Sequence, residues 1–212
     1  ILIDEVQDMS GYDLELLHQF LKISSNIIMV GDPRQVTYHT HEESKNAPYK
    51  EGKIEFFIRE KCKDTNVYID NKTLNKTHRN CGSICNYANR LYPEYDACEA
   101  GNKDVTGHDG IFLVRKTDID EYLKRFKPLQ LRDKRSVLVR PNYQVMNFGE
   151  SKGLTFERIL IYPTKPMIIW MQDNSSPLAF QSRSKFYVAI TRAVKSVAIV
   201  FDYDENTKIE GT

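Results

Sequence analysis

The sequence predicts an α/β protein with mostly parallel sheets, and three observations carry that expectation. Short apolar runs that suit buried strands alternate with stretches of helical spacing along the 212 residues. Two of these runs, Ile1-Leu2-Ile3 and residues 26–30, end in polar residues: Asp4-Glu5 and Gly31-Asp32-Pro33-Arg34-Gln35. Parallel strands deliver side chains to the carboxyl edge of a sheet in this way. The composition agrees, because 41% hydrophobic and 28% charged residues supply a sizeable core for one large or two small domains.

The elements follow in order. Met9-Ser10-Gly11 forms a turn, and Leu14, Leu17 and Leu21 then recur at helical spacing, with Ser10 or Asp13 as N-cap. With the strand at 26–30 they make a βαβ unit. Residues 39–53 read as exposed loop, 54–63 as a short helix and 67–69 as a strand. A helix over 83–91 precedes a loop at 93–110. Strands are expected at 111–115, 136–140, 144–148 and 158–162, with a helix over 118–126. Residues 163–179 hold three prolines and no clear period, and the chain closes with a helix over 181–194 and a strand over 196–201.

A net charge of +1 leaves any nucleic-acid binding to local patches. The apolar run Met167-Ile168-Ile169-Trp170-Met171 is too short to cross a bilayer. Four scattered cysteines and no secretory signal point to a cytoplasmic protein without a disulfide framework. The chain opens inside a strand and contains no G-x-x-x-x-G-K-[ST] phosphate-binding loop, so it is expected to be the later part of a longer protein.

Asp4 and Glu5 suit Mg²⁺ chemistry, since this hard cation takes a carboxylate together with waters and phosphates. A second carboxylate beside it can activate an attacking water. The same pair also fits a plain strand exit to solvent. Gln35, with a donor and an acceptor, suits a phosphate sensor or a cap after Pro33. Cys81 and Cys85, four residues apart, could bind metal with His78, but without a second pair structural thiols are the preferred reading. His39 and His41 read as exposed loop residues. The basic residues of 124–127 and 132–135 fit a solvated helix face, with a nucleic-acid backbone track as the alternative.

Five runs stand in one order: Asp4 to Asp8, Gly31 to Gln35, Asn75 to Asn80, Ser151 to Phe156 and Tyr187 to Ala193. They resemble motifs II to VI of the UvrD/Rep-type superfamily 1 DNA helicases over nearly the whole chain. The resemblance implies a RecA-like P-loop NTPase helicase fold, with 1–72 as the C-terminal part of the first motor domain and 73–212 as the second. It implies an ATP-dependent helicase or translocase moving 3′-to-5′ on single-stranded DNA, in repair for example. ATP and Mg²⁺ are the implied cofactors. The implied partners are single-stranded DNA or a single/double-strand junction, and the missing N-terminal part of the same chain.

Carried over residue by residue, Asp4 and Glu5 meet Mg²⁺, Glu5 activates water and Gln35 senses the γ-phosphate. Arg79 and Arg192 act as arginine fingers, and His78, Gly153 and Thr155 line the nucleotide. Tyr38, Ser151 and Lys152 contact DNA. The sequence departs from the family at several positions. His78 replaces a Tyr that stacks on adenine, and Thr40 and His41 replace a Trp-Arg pair. Gly149 replaces a His, and Thr155 a Glu. Ser136 to Asn142 leads almost at once into motif V, so the large accessory insertion is absent. Two alternatives stay open: a DNA-stimulated ATPase that translocates without separating strands, and a nucleic-acid-binding module that has lost hydrolysis. Intact Glu5, Gln35, Arg79 and Arg192 argue against the second. Lacking a phosphate-binding loop, residues 1–212 alone are expected to hydrolyse negligible ATP.

Overall fold

A computed structural model of the chain describes residues 1–23, 26–41, 44–102, 106–204, 207 and 209. They fall into two compact units, Ile1–Asn71 and Lys72–Thr212.

The first unit is built from β1 (Leu2–Ile3), α1 (Tyr12–Ile23), β2 (Ile28–Met29) and α2 (Ile54–Lys61). The two strands are parallel, Leu2 opposite Ile28 and Ile3 opposite Met29. Helical spacing turns Leu14 of α1 and Phe57 and Ile58 of α2 inward, where they pack with Tyr49 and Cys62. One face of the strand pair stays open, with Leu2 80% and Ile28 63% exposed. The strand expected at 67–69 does not form: Val67 and Ile69 pack on the same core, but no described strand pairs with them.

The second unit continues with β3 (Lys76–Thr77), α3 (Gly82–Asn89), β4 (Glu99–Ala100), β5 (Gly110–Val114) and α4 (Ile119–Phe126). Then come β6 (Leu129–Arg132), β7 (Val145–Asn147), β8 (Phe156–Ile161), α5 (Lys165–Gln172), α6 (Phe180–Thr191) and β9 (Ala193–Val200). β3 and β4 form a small parallel pair. The other strands form one five-stranded sheet in the order β5-β9-β8-β6-β7, and every neighbouring pair is parallel. Alternation sends Ile159, Ile161, Val197 and Ile199 to a core with Ile84 of α3, Trp170 of α5 and Phe186 of α6. Leu160, Ala198 and Val200 point the other way, to Ile119 and Leu123 of α4. Both faces are therefore covered, as a parallel sheet requires.

Several elements of the second unit differ from expectation. No strand forms at 136–140; it forms at β6 instead. The fully buried Gln130 carboxamide of β6 accepts from the Arg140 N–H (3.0 Å) and donates to the Arg140 carbonyl (2.9 Å). A side chain thus occupies the backbone groups of Arg140. α5 forms inside 163–179, with a proline in its first turn and Met167, Trp170 and Met171 buried at helical spacing. Finally, α6 ends at Thr191 and β9 starts at Ala193, so Arg192 alone joins helix to strand. Ala193 is already in register with Phe156, whose N–H donates to the Arg192 carbonyl (2.9 Å).

Residues 42–43 and 103–105 of the two expected loops lie outside the described residues. Among the described residues no helix is long and apolar enough to cross a membrane.

Candidate functional site

In the first unit, β1 and β2 finish side by side. The Val30 N–H donates to the Ile3 carbonyl (2.9 Å) and the Val6 N–H to the Val30 carbonyl (3.1 Å). Asp4-Glu5 and Gly31 to Gln35 therefore share the carboxyl edge of the pair. Asp4 is exposed, and its carboxylate accepts the Glu5 N–H (2.8 Å). Glu5 sits in the left-handed region at φ 53, a rare conformation for a non-glycine residue and one that clusters at functional sites. Two oxygen donors at a solvent-reached strand end are the right chemistry for a hard cation such as Mg²⁺.

These acids are tied to the second loop by Gln7, only 3% exposed. Its Nε2 donates to the Glu5 carboxylate, and its Oε1 accepts the Asp32 N–H (3.1 Å). The Asp32 carboxylate then accepts from the Arg34 N–H (3.0 Å), from Arg34 Nε (2.8 Å) and from Gln35 Nε2 (2.9 Å). Glu5 and Gln35 thus belong to one hydrogen-bonded chain. Gly31 makes the close approach possible, since a Cβ there would lie 2.2 Å from Gln7 Oε1. The Ser10 hydroxyl does not cap α1. It donates to the His41 carbonyl (2.8 Å) and accepts the His41 N–H (2.9 Å), while the Ser10 N–H donates to Thr40 Oγ1 (3.0 Å). Thr40 and His41 are fastened to the loop after the acids, and Tyr38 between the two loops is exposed.

In the second unit, Arg79 and Arg192 both donate to Thr191, the first to its carbonyl and the second to its hydroxyl, although 113 positions separate the two arginines. Arg79 is half-buried, its Nη1 donates to the Thr191 carbonyl (3.2 Å), and burial pulls its pKa below the usual guanidinium range. Arg192, the next residue, is 2% exposed. Its guanidinium donates to the Leu154 carbonyl (3.5 Å) and to Thr191 Oγ1 (3.3 Å). Phe186, Tyr187 and Ile190 of α6 are buried behind it. Gly153, at φ +80, and Thr155 are exposed and lead into β8 beside Arg192. His78 is exposed, with its ring against Gly101, where a Cβ would lie 2.9 Å from Nδ1. Arg79, Arg192, Gly153 and Thr155 gather at the amino ends of β8 and β9, opposite to the usual carboxyl-edge rule.

Ser151 is fully buried and its hydroxyl donates to the Phe148 carbonyl (2.7 Å), so its side chain braces the loop. Lys152 beside it is half-buried. Cys81 and Cys85 point their thiols at the Lys195 and Cys98 carbonyls (3.8 and 2.8 Å). No group of three metal-ligating side chains occurs among the described residues. Sequence reasoning missed Gln7, Asp32 and Asn80 as parts of the site. All three lie inside the recognised runs, but their contacts are long-range or reach through the backbone.

The chain matches the family described as the viral superfamily 1 RNA helicase core domain over residues 1–201. Among solved structures, the PRRSV helicase is 17% identical, with a TM-score of 0.56, over 100% of this chain and 38% of that one. A complex of arterivirus nonstructural protein 10, a helicase, with DNA is 19% identical, with a TM-score of 0.56, over 96% of this chain and 40% of that one. At such identities the likeness shows the fold, and the chain spans about two fifths of the length of either helicase. No curated protein matches it. The family match covers both units and all five motif runs: the chain belongs to the viral superfamily 1 RNA helicase core domain family.

Proposed function

We propose that this chain is part of a motor that couples ATP hydrolysis to movement along single-stranded nucleic acid. The observation that carries the reading is the meeting of Arg79 and the Arg192 peptide at the Thr191 carbonyl. Two guanidinium groups that both touch Thr191, within a helicase family, suit a triphosphate that needs positive charge on its γ-phosphoryl oxygens.

In this reading Asp4 and Glu5 hold Mg²⁺, which neutralises phosphate charge when bound. Glu5 takes the proton of the attacking water, and Gln35, held by Asp32, reports the γ-phosphate. Arg79 and Arg192 stabilise the transition state, and Arg192 turns out of its buried position to do so. His78 stacks on the base, with Gly153 and Thr155 beside the nucleotide. Tyr38 and Lys152 meet the nucleic acid, Tyr38 by stacking and Lys152 by charge. Residues 1–212 contain no G-x-x-x-x-G-K-[ST] run, so this reading takes the phosphate-binding loop from elsewhere in the motor.

The family description favours RNA as the track. A DNA track is the second substrate reading, favoured by the complex of one structural neighbour with DNA. A translocase that does not separate strands is favoured by one feature: Thr40 and His41 are engaged by Ser10. The UvrD/Rep-type identity and 3′-to-5′ polarity rest on the motif resemblance.

The test uses the full-length protein that carries this chain. Arg192→Ala should cut nucleic-acid-stimulated ATP turnover by about 10³-fold or more, with ATP and nucleic-acid affinity little changed. Arg192→Lys should not rescue it, because an ammonium lacks the planar fork. Near-normal turnover in Arg192→Ala would sink the reading. Partial duplexes of RNA or DNA with 3′ or 5′ tails then report track, polarity and strand separation.

A further inference from the structure

Asn80 closes the run that contains Arg79, yet its side chain acts elsewhere. It is 3% exposed, and both N–H bonds of its carboxamide find carbonyls: Thr191 at 3.2 Å and Ala193 at 2.7 Å. Its Oδ1 accepts from the Thr77 hydroxyl (3.3 Å). Thr191 and Ala193 are the residues on either side of Arg192.

The local chain explains why such a brace is needed. The last carbonyls of a helix lack partners within it, and a glycine in the left-handed region commonly completes the end. Here α6 passes into β9 through Arg192 alone, in right-handed helical conformation at φ -78 and ψ -17. Asn80, 111 positions away from Thr191, supplies the missing donors. The Thr191 carbonyl also receives Arg79 Nη1, so one peptide oxygen joins the 77–80 loop to the residue before Arg192.

We propose that Asn80 is a positioning residue for Arg192: its carboxamide clamps the carbonyls on both sides and so fixes where the guanidinium originates. The proposal rests on the motor reading above, in which Arg192 meets the γ-phosphate. It makes the geometry of one arginine depend on the loop that carries the other. A guanidinium displaced by about 1 Å loses much of its transition-state interaction, so removing the clamp should cost about 10²-fold in turnover.

The experiment measures kcat, KM for ATP and Tm of the full-length protein for Asn80→Ala, Arg192→Ala, the double variant and Asn80→Asp. Asn80→Ala should lower kcat about 10²-fold well below its Tm, with KM for ATP changed only severalfold. The double variant should turn over no more slowly than Arg192→Ala alone, because both changes remove one interaction. A lowered Tm with normal kcat would make Asn80 a structural brace and overturn the proposal; so would effects that multiply in the double variant. Near-normal turnover in Arg192→Ala itself would instead fail the motor reading. Asn80→Asp keeps the test alive if Asn80→Ala does not fold. Its carboxylate faces two carbonyls at high pH, whereas its acid form can donate to Ala193, so its turnover relative to wild type should rise as pH falls. A flat ratio would also overturn the proposal.

Discussion

Gly31 is the residue on which the carboxylate end of the first unit depends. Its need for glycine is one of space, because a Cβ would lie 2.2 Å from Gln7 Oε1 and 3.1 Å from Val6 Cγ1. Gln7 has no room to yield, being buried and bonded to both Glu5 and Asp32. Gly31→Ala should therefore destabilise the protein by about 1–3 kcal/mol and lower turnover, as read by denaturant titration and ATPase assay. Gly82→Ala is the control. A Cβ at Gly82 meets nothing within 4 Å, and the residue opens α3, so that variant should be neutral or more stable by up to about 1 kcal/mol. Equal behaviour of the two variants would remove Gly31 from the site argument. Glu5 and Gln35 stood out in the sequence because their residue types suit phosphate chemistry. Gln7 was not, since a buried amide shows its role only through the two partners that folding brings to it.

Between elements, the clearest chemical feature outside the motifs is the packing of α4 on β5. His108 is stacked between Phe112 and Phe126, with ring centroids 3.9 Å away on each side and interplanar angles of 13° and 10°. Its Nε2 lies 2.9 Å from the Tyr122 hydroxyl. Burial, then the positive charges of Arg158 and Arg125, pushes the imidazole pKa below its ordinary value. The neutral ring is thus favoured in the folded state, and the unfolded chain takes up the proton first. Stability from this group is fully present above the unfolded pKa of about 6.5 and is lost as pH falls through the lowered folded value. Wild type should lose Tm between pH 7.5 and 5.5, and His108→Phe, which keeps a ring in the stack, should lose less. Parallel acid slopes for the two proteins would refute the assignment. The same scale shows what the sequence hid. α5 went unread, because three prolines in 163–179 masked the helical spacing of Met167, Trp170 and Met171. β6 was not, because Gln130 reads as a polar interruption until Arg140 and Tyr162 are seen to satisfy it.

At the scale of the molecule, the alternation of strands and helices made the α/β class readable, whereas the meeting of Arg79 with Thr191 was not, because 112 positions separate them. The two compact units also differ in how well each is covered. Ile1–Asn71 is small, and a domain of this size hides only about 60% of the surface its unfolded chain exposes. Its core gathers around Leu14, Phe57 and Ile58 while Leu2 and Ile28 remain open. Lys72–Thr212 has a five-stranded parallel sheet with packed helices on both faces. Burial of apolar area is the main favourable term in folding, so the second unit should hold to a higher temperature. Scanning calorimetry of residues 1–212 should show two transitions, the lower from the first unit. Limited proteolysis between them should leave a resistant piece beginning near residue 72. Residues 72–212 made alone should melt cooperatively at the upper temperature, since every strand of the sheet lies within them. A single transition with equal calorimetric and van't Hoff enthalpies would count against independent units. Survival of residues 1–71 after loss of the rest would reverse the order and show that the open Leu2–Ile28 face costs less than the argument assigns to it.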